Sequence, residues 1–192
     1  MIRQLLRILL AATAAAGMVG VARHRMDTVR VRRGELPPAT AAAVLTPARE
    51  AGMLAERLAG WVPEAPRTTS GRLLAHVWAS PLTLPGFTLA LLSGARPRWS
   101  TLHACWVAAG VRGPSGLALR SLGADANAIG LVVLSRRRPP PPTLLAHEVV
   151  HVRQAERLGL GLLPLYLWLA ARYGYRDHPL ERAARLGARR EM

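Results

Sequence analysis

Residues 143–159 read Thr-Leu-Leu-Ala-His-Glu-Val-Val-His-Val-Arg-Gln-Ala-Glu-Arg-Leu-Gly. Apolar residues recur in this stretch at the three- and four-residue spacing of an amphipathic helix. Thr143 is a suitable N-cap for a helix from about Leu144 to Leu158, and Gly159 is suited to end it. Three residues form an apolar face for burial: Leu145, Val149 and Val152. We therefore predict a half-buried helix.

Two histidines lie four positions apart on this predicted helix. Because residues at that spacing share a face, the imidazoles of His147 and His151 converge on one point. Neutral imidazole is a preferred ligand of Zn²⁺, and two such ligands leave room for a third ligand and a water. Zinc lowers the pKa of that water to about 7, so that Glu148 can accept its proton. The His-Glu-x-x-His pattern is typical of zinc peptidases.

The pattern rarely arises by chance. With 6 histidines in 192 residues, random placement predicts about 0.008 matches in a chain of this composition. The alternative is a pair of core histidines with satisfied hydrogen bonds beside a surface glutamate. We favour the metal site, because the pattern also falls within a helix that has its own start and stop signals.

A third ligand has to come from elsewhere in the chain. A metzincin would place a glycine three residues after His151 and a histidine six residues after it, but Gln154 and Arg157 stand there. That arrangement is therefore excluded. The downstream candidates are Asp177, His178 and Glu181.

The sequence leaves two interpretations of Glu181 open. A helix beside the motif helix can direct the Glu181 carboxylate at the metal and give a His₂Glu site. If His178 instead caps a helix that starts at Pro179, Glu181 takes the third helical position, where glutamate stabilises a helix start.

Other side chains near the motif are candidates for supporting roles. Tyr175 and His178 precede Glu181 and are candidates to stabilise a tetrahedral oxyanion, the alternative being that they anchor the loop. Gln154 either hydrogen-bonds a ligating histidine or simply packs. We expect the arginines and glutamate at 153–157 to form an ion-paired helix face. His103 and Cys105 fit a packed strand better than a second metal site.

Several segments resemble a family of uncharacterised bacterial zincin-like proteins. They are His147-Glu-Val-Val-His-Val-Arg-Gln-Ala-Glu-Arg-Leu-Gly159, Pro164-Leu-Tyr166 and Tyr175-Arg-Asp-His-Pro-Leu-Glu-Arg-Ala183. These are similar to the family's HExxHvrQxErxG, Pro-x-Tyr and YrdNPfExxA patterns, and Ser80-Pro-Leu-Thr-Leu-Pro-Gly86 is similar to its P-W-T-x-x-G segment. The resemblance spans residues 80–187.

The layout is similar to that of gluzincin-type peptidases, so the resemblance implies a small zincin-like domain with Glu181 as the third ligand. The chain departs from the family pattern at four positions. Leu82 replaces a Trp, His178 an Asn and Leu180 a Phe, and Leu131 stands where a His is expected after Gly130.

The remaining pattern predicts an α+β fold, with a short antiparallel sheet beside the motif helix and helical N-terminal and C-terminal parts. Two or three strands are expected within residues 101–109, 116–122 and 128–135. Helices are expected around 41–61, at 161–173 and from Pro179 toward Arg190. We divide the chain into residues 1–33, a helical and apolar part at 34–98, and a metal-binding part at 99–192, with 34–192 as one compact domain.

The chain is strongly basic, with a net charge of +15, and all 26 of its basic residues are arginines. Such a charge raises the possibility of a nucleic-acid-binding protein. The arginines are dispersed along the chain and no recognition motif accompanies them, so no sequence-specific nucleic acid is expected as a partner. The single Cys105 excludes an internal disulfide framework.

The N-terminus resembles a leader, because Arg3 and Arg7 precede an apolar run from Ile8 to Ala22. The run is short for a spanning helix, and the arginines that follow it outnumber those before it. This asymmetry opposes export. We expect a cytoplasmic protein, with peripheral membrane contact through the N-terminus as a possibility and export as the alternative.

The leading hypothesis is a zinc-dependent metallopeptidase acting on a peptide or protein substrate. The alternatives are an inactive zinc-binding scaffold and an arginine-rich protein that binds a membrane surface or nucleic acid.

Overall fold

The computed structural model describes residues 30, 33–35, 49–59 and 68–190. The chain groups into two compact units. The first unit contains Met1–Leu58 and Leu163–Ala183, and the second contains Ala59–Leu162 and Ala184–Met192. The leader-like run and most of the predicted helix around 41–61 lie outside the described residues, although residues 49–59 are helical as expected.

The fold is α+β, as predicted. The elements in chain order are α1 (Thr69–Leu92), β1 (Arg98–Ser100), β2 (Cys105–Ala109), α2 (Gly113–Ser121), β3 (Ala126–Ile129), β4 (Val132–Ser135), α3 (Pro142–Leu158), a 3₁₀ turn (Gly159–Gly161), α4 (Leu162–Tyr173) and α5 (Pro179–Arg190). None of the helices in the described ranges is both long and apolar enough to cross a membrane.

The sheet of the second unit is mixed, so the prediction of an antiparallel sheet is wrong. Its strand order is β1-β2-β4-β3, with β2 and β4 parallel and the two outer pairs antiparallel. Parallel strands need a long connection, and the chain supplies one by passing through α2 and β3 between β2 and β4.

The prediction of a strand at residues 116–122, within this connection, is also wrong, because these residues belong mostly to α2. Pro114 lies in the first turn of this helix, where its missing N–H costs nothing. Leu119 is buried together with Ser115 and Gly116, which is the spacing of a helix and not of a strand. The predicted strand at 128–135 is instead a hairpin of β3 and β4 that turns at Gly130 and Leu131.

Strand β4 forms the centre of the second unit, and all four of its residues are buried. Because side chains alternate along a strand, its two faces belong to different apolar clusters. One cluster comprises Ala90, Ala95, Ala108, Val111, Leu119, Val132 and Leu134. The other comprises Ala79, Cys105, Leu131, Val133, Val149 and Val152, and so joins the sheet to α1 and α3.

Helix α1 is continuous through Pro81 and Pro85, although proline commonly interrupts a helix. Proline lacks the N–H that would bond the carbonyl one turn earlier. The Ser80 hydroxyl donates to the Val77 carbonyl at 2.7 Å and so satisfies the acceptor that Pro81 leaves. One face of the helix is buried, at Ala75, Ala79, Thr83, Gly86 and Ala90.

The first unit combines the helical segment at 49–58 with most of α4 and the start of α5. Arg172 pairs with Glu50 at 3.4 Å. Arg182 pairs with Asp177 at 3.3 Å, and its guanidinium lies against Gly52. These contacts connect the N-terminal helical segment to the helices that precede and carry Glu181.

Candidate metal centre

The motif helix is α3. It begins at Pro142, so the prediction of Thr143 as N-cap is wrong by two residues. Proline is well suited to a first helical position, because its φ is already helical and its N–H is not needed there. The other end is as predicted, since the helix ends at Leu158 and Gly159 follows with a φ of +50°.

The apolar face of α3 is buried as predicted. Val149 and Val152 belong to the cluster that includes Leu131 and Val133, and Leu145 packs against it. Leu131 is fully buried in this cluster. The position at which the family pattern has a histidine therefore contributes apolar packing behind the motif helix.

The motif histidines lie on the opposite side of α3 and are half-buried. The ring centroids of His147 and His151 are 5.0 Å apart, with an interplanar angle of 79°. Nδ1 of His151 lies 2.9 Å from Oε1 of Gln154. Because an amide oxygen only accepts, Nδ1 is the donor in this bond, and in a neutral imidazole the lone pair is then on Nε2.

Glu148 follows the first histidine and is only 5% exposed. A buried carboxylate has few competing water contacts, which suits it to exchange a proton with one positioned water. Its place in the sequence and its burial are those required of a general base in the predicted chemistry.

Glu181 lies in the first turn of α5, which begins at Pro179 and ends at Arg190 as predicted. The carboxylate is 8% exposed, and the Tyr166 hydroxyl donates to its Oε1 at 3.1 Å. A carboxylate has about four acceptor positions, so a bond from Tyr166 is compatible with a cation on the same group. Glu181 also occupies the third helical position, so its helix-stabilising role is compatible with the same geometry.

His178 is fully buried and contacts Tyr166 in two ways. Its Nε2 lies 3.0 Å from the Tyr166 carbonyl oxygen, and the two rings are tilted by 31° with centroids 4.1 Å apart. Because a carbonyl only accepts, Nε2 is the donor. This geometry favours His178 as an anchor for Tyr166 over the predicted contact with an oxyanion.

Tyr175 lies in the turn before α5 and is 56% exposed. Its carbonyl accepts a hydrogen bond from the backbone N–H of His178 at 3.4 Å. Contact of the Tyr175 hydroxyl with a reacting group stays a prediction.

Three of the predicted residues form a group that could hold a metal ion. The donor atoms of His147, His151 and Glu181 all lie within 4.8 Å of one another. Two imidazole nitrogens and one carboxylate oxygen are a donor set that Zn²⁺ accepts, with a fourth position left for water. Asp177, another downstream candidate, is paired with Arg182.

The sequence did not assign a role to Tyr166. Its hydrogen bond to Glu181 depends on how α4 and α5 pack within the first unit, which helical spacing alone does not reveal. The only sequence signal was its position in the Pro-x-Tyr segment.

The expected ion pair on α3 is present and buried. Arg153 and Glu156 are 2.5 Å apart, with side-chain exposures of 5% and 7%. Arg153 also donates to the carbonyl oxygen of His103.

Cys105 is buried in the apolar cluster, as expected for a packed strand, and burial raises the pKa of its thiol to about 11.

Comparisons with family models, with curated proteins and with solved structures find no match for this chain.

Proposed function

We propose that this protein is a zinc-dependent peptidase in which His147, His151 and Glu181 hold the metal and Glu148 is the general base. The observation that carries the proposal is the convergence of the three donor atoms within 4.8 Å. The His-Glu-x-x-His spacing supports it, because it brings a buried carboxylate next to the first ligand on the same helix.

The surroundings of the proposed ligands also support a metal site. Ligating histidines in metal sites usually donate their second N–H to an oxygen, which fixes the ring and its tautomer. Gln154 supplies that oxygen to His151, and Tyr166 fixes one oxygen of Glu181. Each of these two ligands therefore has an orienting partner.

Zinc held by His147, His151 and Glu181 would supply the Lewis acidity that polarises a scissile carbonyl and lowers the pKa of a water at the site. Glu148 takes a proton from the attacking water and passes it to the departing amine nitrogen. The peptide C–N bond breaks as the new C–O bond is retained, and a carboxylic acid and an amine are released.

We propose that an extended peptide binds along β3. This strand lies at one edge of the sheet, and α3 packs against both β3 and β4. An edge strand presents unpaired N–H and C=O groups to which a substrate can add as a further strand. The scissile bond of such a peptide would run beside the helix that carries Glu148.

The substitution Glu148→Gln tests the proposal, because it removes the base and keeps the shape. We expect cleavage of a peptide library to fall by about 10²–10⁴-fold, with zinc content unchanged. The matched control is Glu50→Gln, on the partly exposed Glu50 that pairs with Arg172, and it should retain activity. Full activity of Glu148→Gln would contradict the mechanism. Zinc binding without cleavage by the wild type would identify an inactive zinc-binding scaffold.

A further inference from the structure

Seven arginines surround one cavity of about 1130 Å³ in the second unit, which we call the arginine cavity. They are Arg96, Arg98, Arg112, Arg120 and the three successive arginines 136–138. The sequence disperses these residues over more than forty positions, and the fold collects them. None of them takes part in the proposed zinc chemistry.

The arginine cavity lies where the two parallel strands end. Strand β2 ends at Ala109 and β4 at Ser135, and the N–H groups of Gly110 and Val111 both donate to the Ser135 carbonyl, at 2.7 and 2.9 Å. The loops that follow the two strands therefore start together and supply Arg112 and arginines 136–138. In open sheets, the crevice beyond the carboxyl ends of parallel strands is the usual ligand-binding position.

The charge of the cavity is largely uncompensated. Asp125 pairs with Arg136 at 3.4 Å and with Arg137 at 3.1 Å. In the described part of the chain, the other five arginines form no ion pair with a carboxylate, and no acidic residue lines the cavity. Guanidinium groups held close together repel one another, so an anion between them lowers the free energy of the site.

The lining also indicates the kind of anion. Guanidinium forks match the oxygens of phosphate groups and bind them in bidentate pairs. Among the described residues that line the cavity, there is no aromatic side chain on which a base could stack. The volume exceeds that of most pockets for drug-sized ligands, about 300–1,000 Å³, and so has room for several linked phosphates.

We propose that the arginine cavity binds a polyphosphate anion, with two or more linked phosphoryl groups held by arginines from β1, α2 and the loops after β2 and β4. The shared chemistry is the phosphate chain, which either a free inorganic polyphosphate or the phosphate tail of a nucleotide supplies. The proposal is independent of the zinc site.

Isothermal titration calorimetry with inorganic tripolyphosphate tests the proposal on the full-length protein. The triple variant Arg98→Gln, Arg112→Gln, Arg138→Gln removes three charges from the cavity. The matched control Arg49→Gln, Arg57→Gln, Arg189→Gln removes three charges from exposed arginines outside it. We expect tripolyphosphate affinity to fall by at least about tenfold in the cavity variant and to change by less than about twofold in the control. Far-ultraviolet circular dichroism establishes that both variants are folded.

Further titrations distinguish the sources of the phosphate chain. Adenosine triphosphate binding as tightly as tripolyphosphate indicates that the chain alone is recognised, and tighter binding indicates that the nucleotide is the physiological source. Equal losses in both triple variants would contradict the proposal, because net charge and not the cavity would then set the affinity. Tighter binding of single-stranded DNA than of tripolyphosphate, or no binding of tripolyphosphate by the wild type, would also contradict it.

If the cavity variant does not fold, thermal unfolding of the wild type tests the proposal instead. Tripolyphosphate should raise the melting temperature, and chloride at the same ionic strength should not. Equal protection by the two salts would contradict the proposal.

Discussion

Gln154 is 1% exposed, and its amide oxygen accepts a hydrogen bond from His151. Burial of an amide is unfavourable unless its polar atoms are paired. The position three residues after His151 predicted that the two side chains share a helix face. The hydrogen bond depends on the rotamers of both side chains, which spacing does not determine.

We predict that Gln154→Ala weakens zinc binding by about 10- to 100-fold, because the His151 ring loses the partner that fixes its orientation and tautomer. Gln154→Glu is the matched control and should keep tight binding, because a carboxylate accepts from the same N–H. Competition with a chromophoric chelator measures both affinities. An unchanged zinc affinity in Gln154→Ala would mean that Gln154 only packs.

Cys105 makes a second prediction at the scale of one residue. Burial raises the pKa of its thiol from 9.0 to about 11, so the folded protein keeps a proton that the unfolded chain loses between these values. The contribution of this group to the free energy of unfolding is therefore full below pH 9 and declines as the pH rises toward 11. At pH 10 the decline is about 1 kcal/mol relative to pH 8.

Urea unfolding at pH 8 and pH 10 measures this contribution. Cys105→Ala lowers the free energy of unfolding at both pH 8 and pH 10. From pH 8 to pH 10, however, the variant should lose about 1 kcal/mol less stability than the wild type loses. Equal pH dependence of the two proteins would show that the thiol does not titrate differently on folding.

At the scale of elements, α1 is held against the β3–β4 hairpin by close backbone contact. Thr83 donates to the Ala79 carbonyl at 2.8 Å and accepts from the Leu131 N–H at 3.2 Å. Gly130 has a φ of +60°, and a Cβ atom there would lie 2.5 Å from the Thr83 backbone nitrogen. The turn therefore requires glycine for its conformation and for its contact with α1.

We predict that Gly130→Ala destabilises the protein much more than Gly123→Ala. Gly123 has a similar φ of +67° but nothing within 4 Å of the added carbon. The control should cost about 1–2 kcal/mol, from the left-handed conformation alone, and Gly130→Ala about 1–3 kcal/mol more, from the clash. Free energies of unfolding in urea measure the difference. Equal losses would show that α1 does not pack tightly on the hairpin.

The sequence predicted the elements whose pattern is local. The end of α3, the start of α5 and the apolar back face of the motif helix follow from glycine, proline and helical spacing within single segments. Helix α2 and the parallel pairing of β2 with β4 were not predicted. Both depend on which distant segments pack together. A short stretch such as residues 116–122 is compatible with either a helix or a strand, and its packing determines which of the two forms.

The residues of the candidate site also separate into those that local spacing predicted and those that depend on tertiary packing. His147, His151 and Glu148 follow from spacing on one helix. The prediction of Glu181 as a ligand rested on a resemblance as well as on spacing, because a glutamate at this position also fits the start of a helix. The hydrogen bond from Tyr166 to Glu181 and the grouping of the cavity arginines depend on tertiary structure, which spacing does not reveal.

At the scale of the whole molecule, the charge of +15 is not evenly spread, because the fold gathers seven of the 26 arginines at one end of the sheet. Repulsion within such a group opposes the compact state. A polyphosphate bound in the arginine cavity would reduce this repulsion, because it is an anion.

We predict that zinc raises the stability of the wild type. An ion at 100 times its dissociation constant stabilises the folded state by about 2.7 kcal/mol, which corresponds to several degrees in melting temperature. Thermal melts with zinc and with a chelator measure the shift. The double variant His147→Ala, His151→Ala should show none, and an equal shift in that variant would mean that zinc acts elsewhere.

The metal content of the purified protein tests the central claim most directly. After dialysis, elemental analysis of the wild type, Glu148→Gln, His151→Ala and Glu181→Ala gives zinc per chain. We predict about one zinc in the wild type and in Glu148→Gln, and little in the other two variants. Zinc held by Glu181→Ala as well as by the wild type would contradict the three-ligand site.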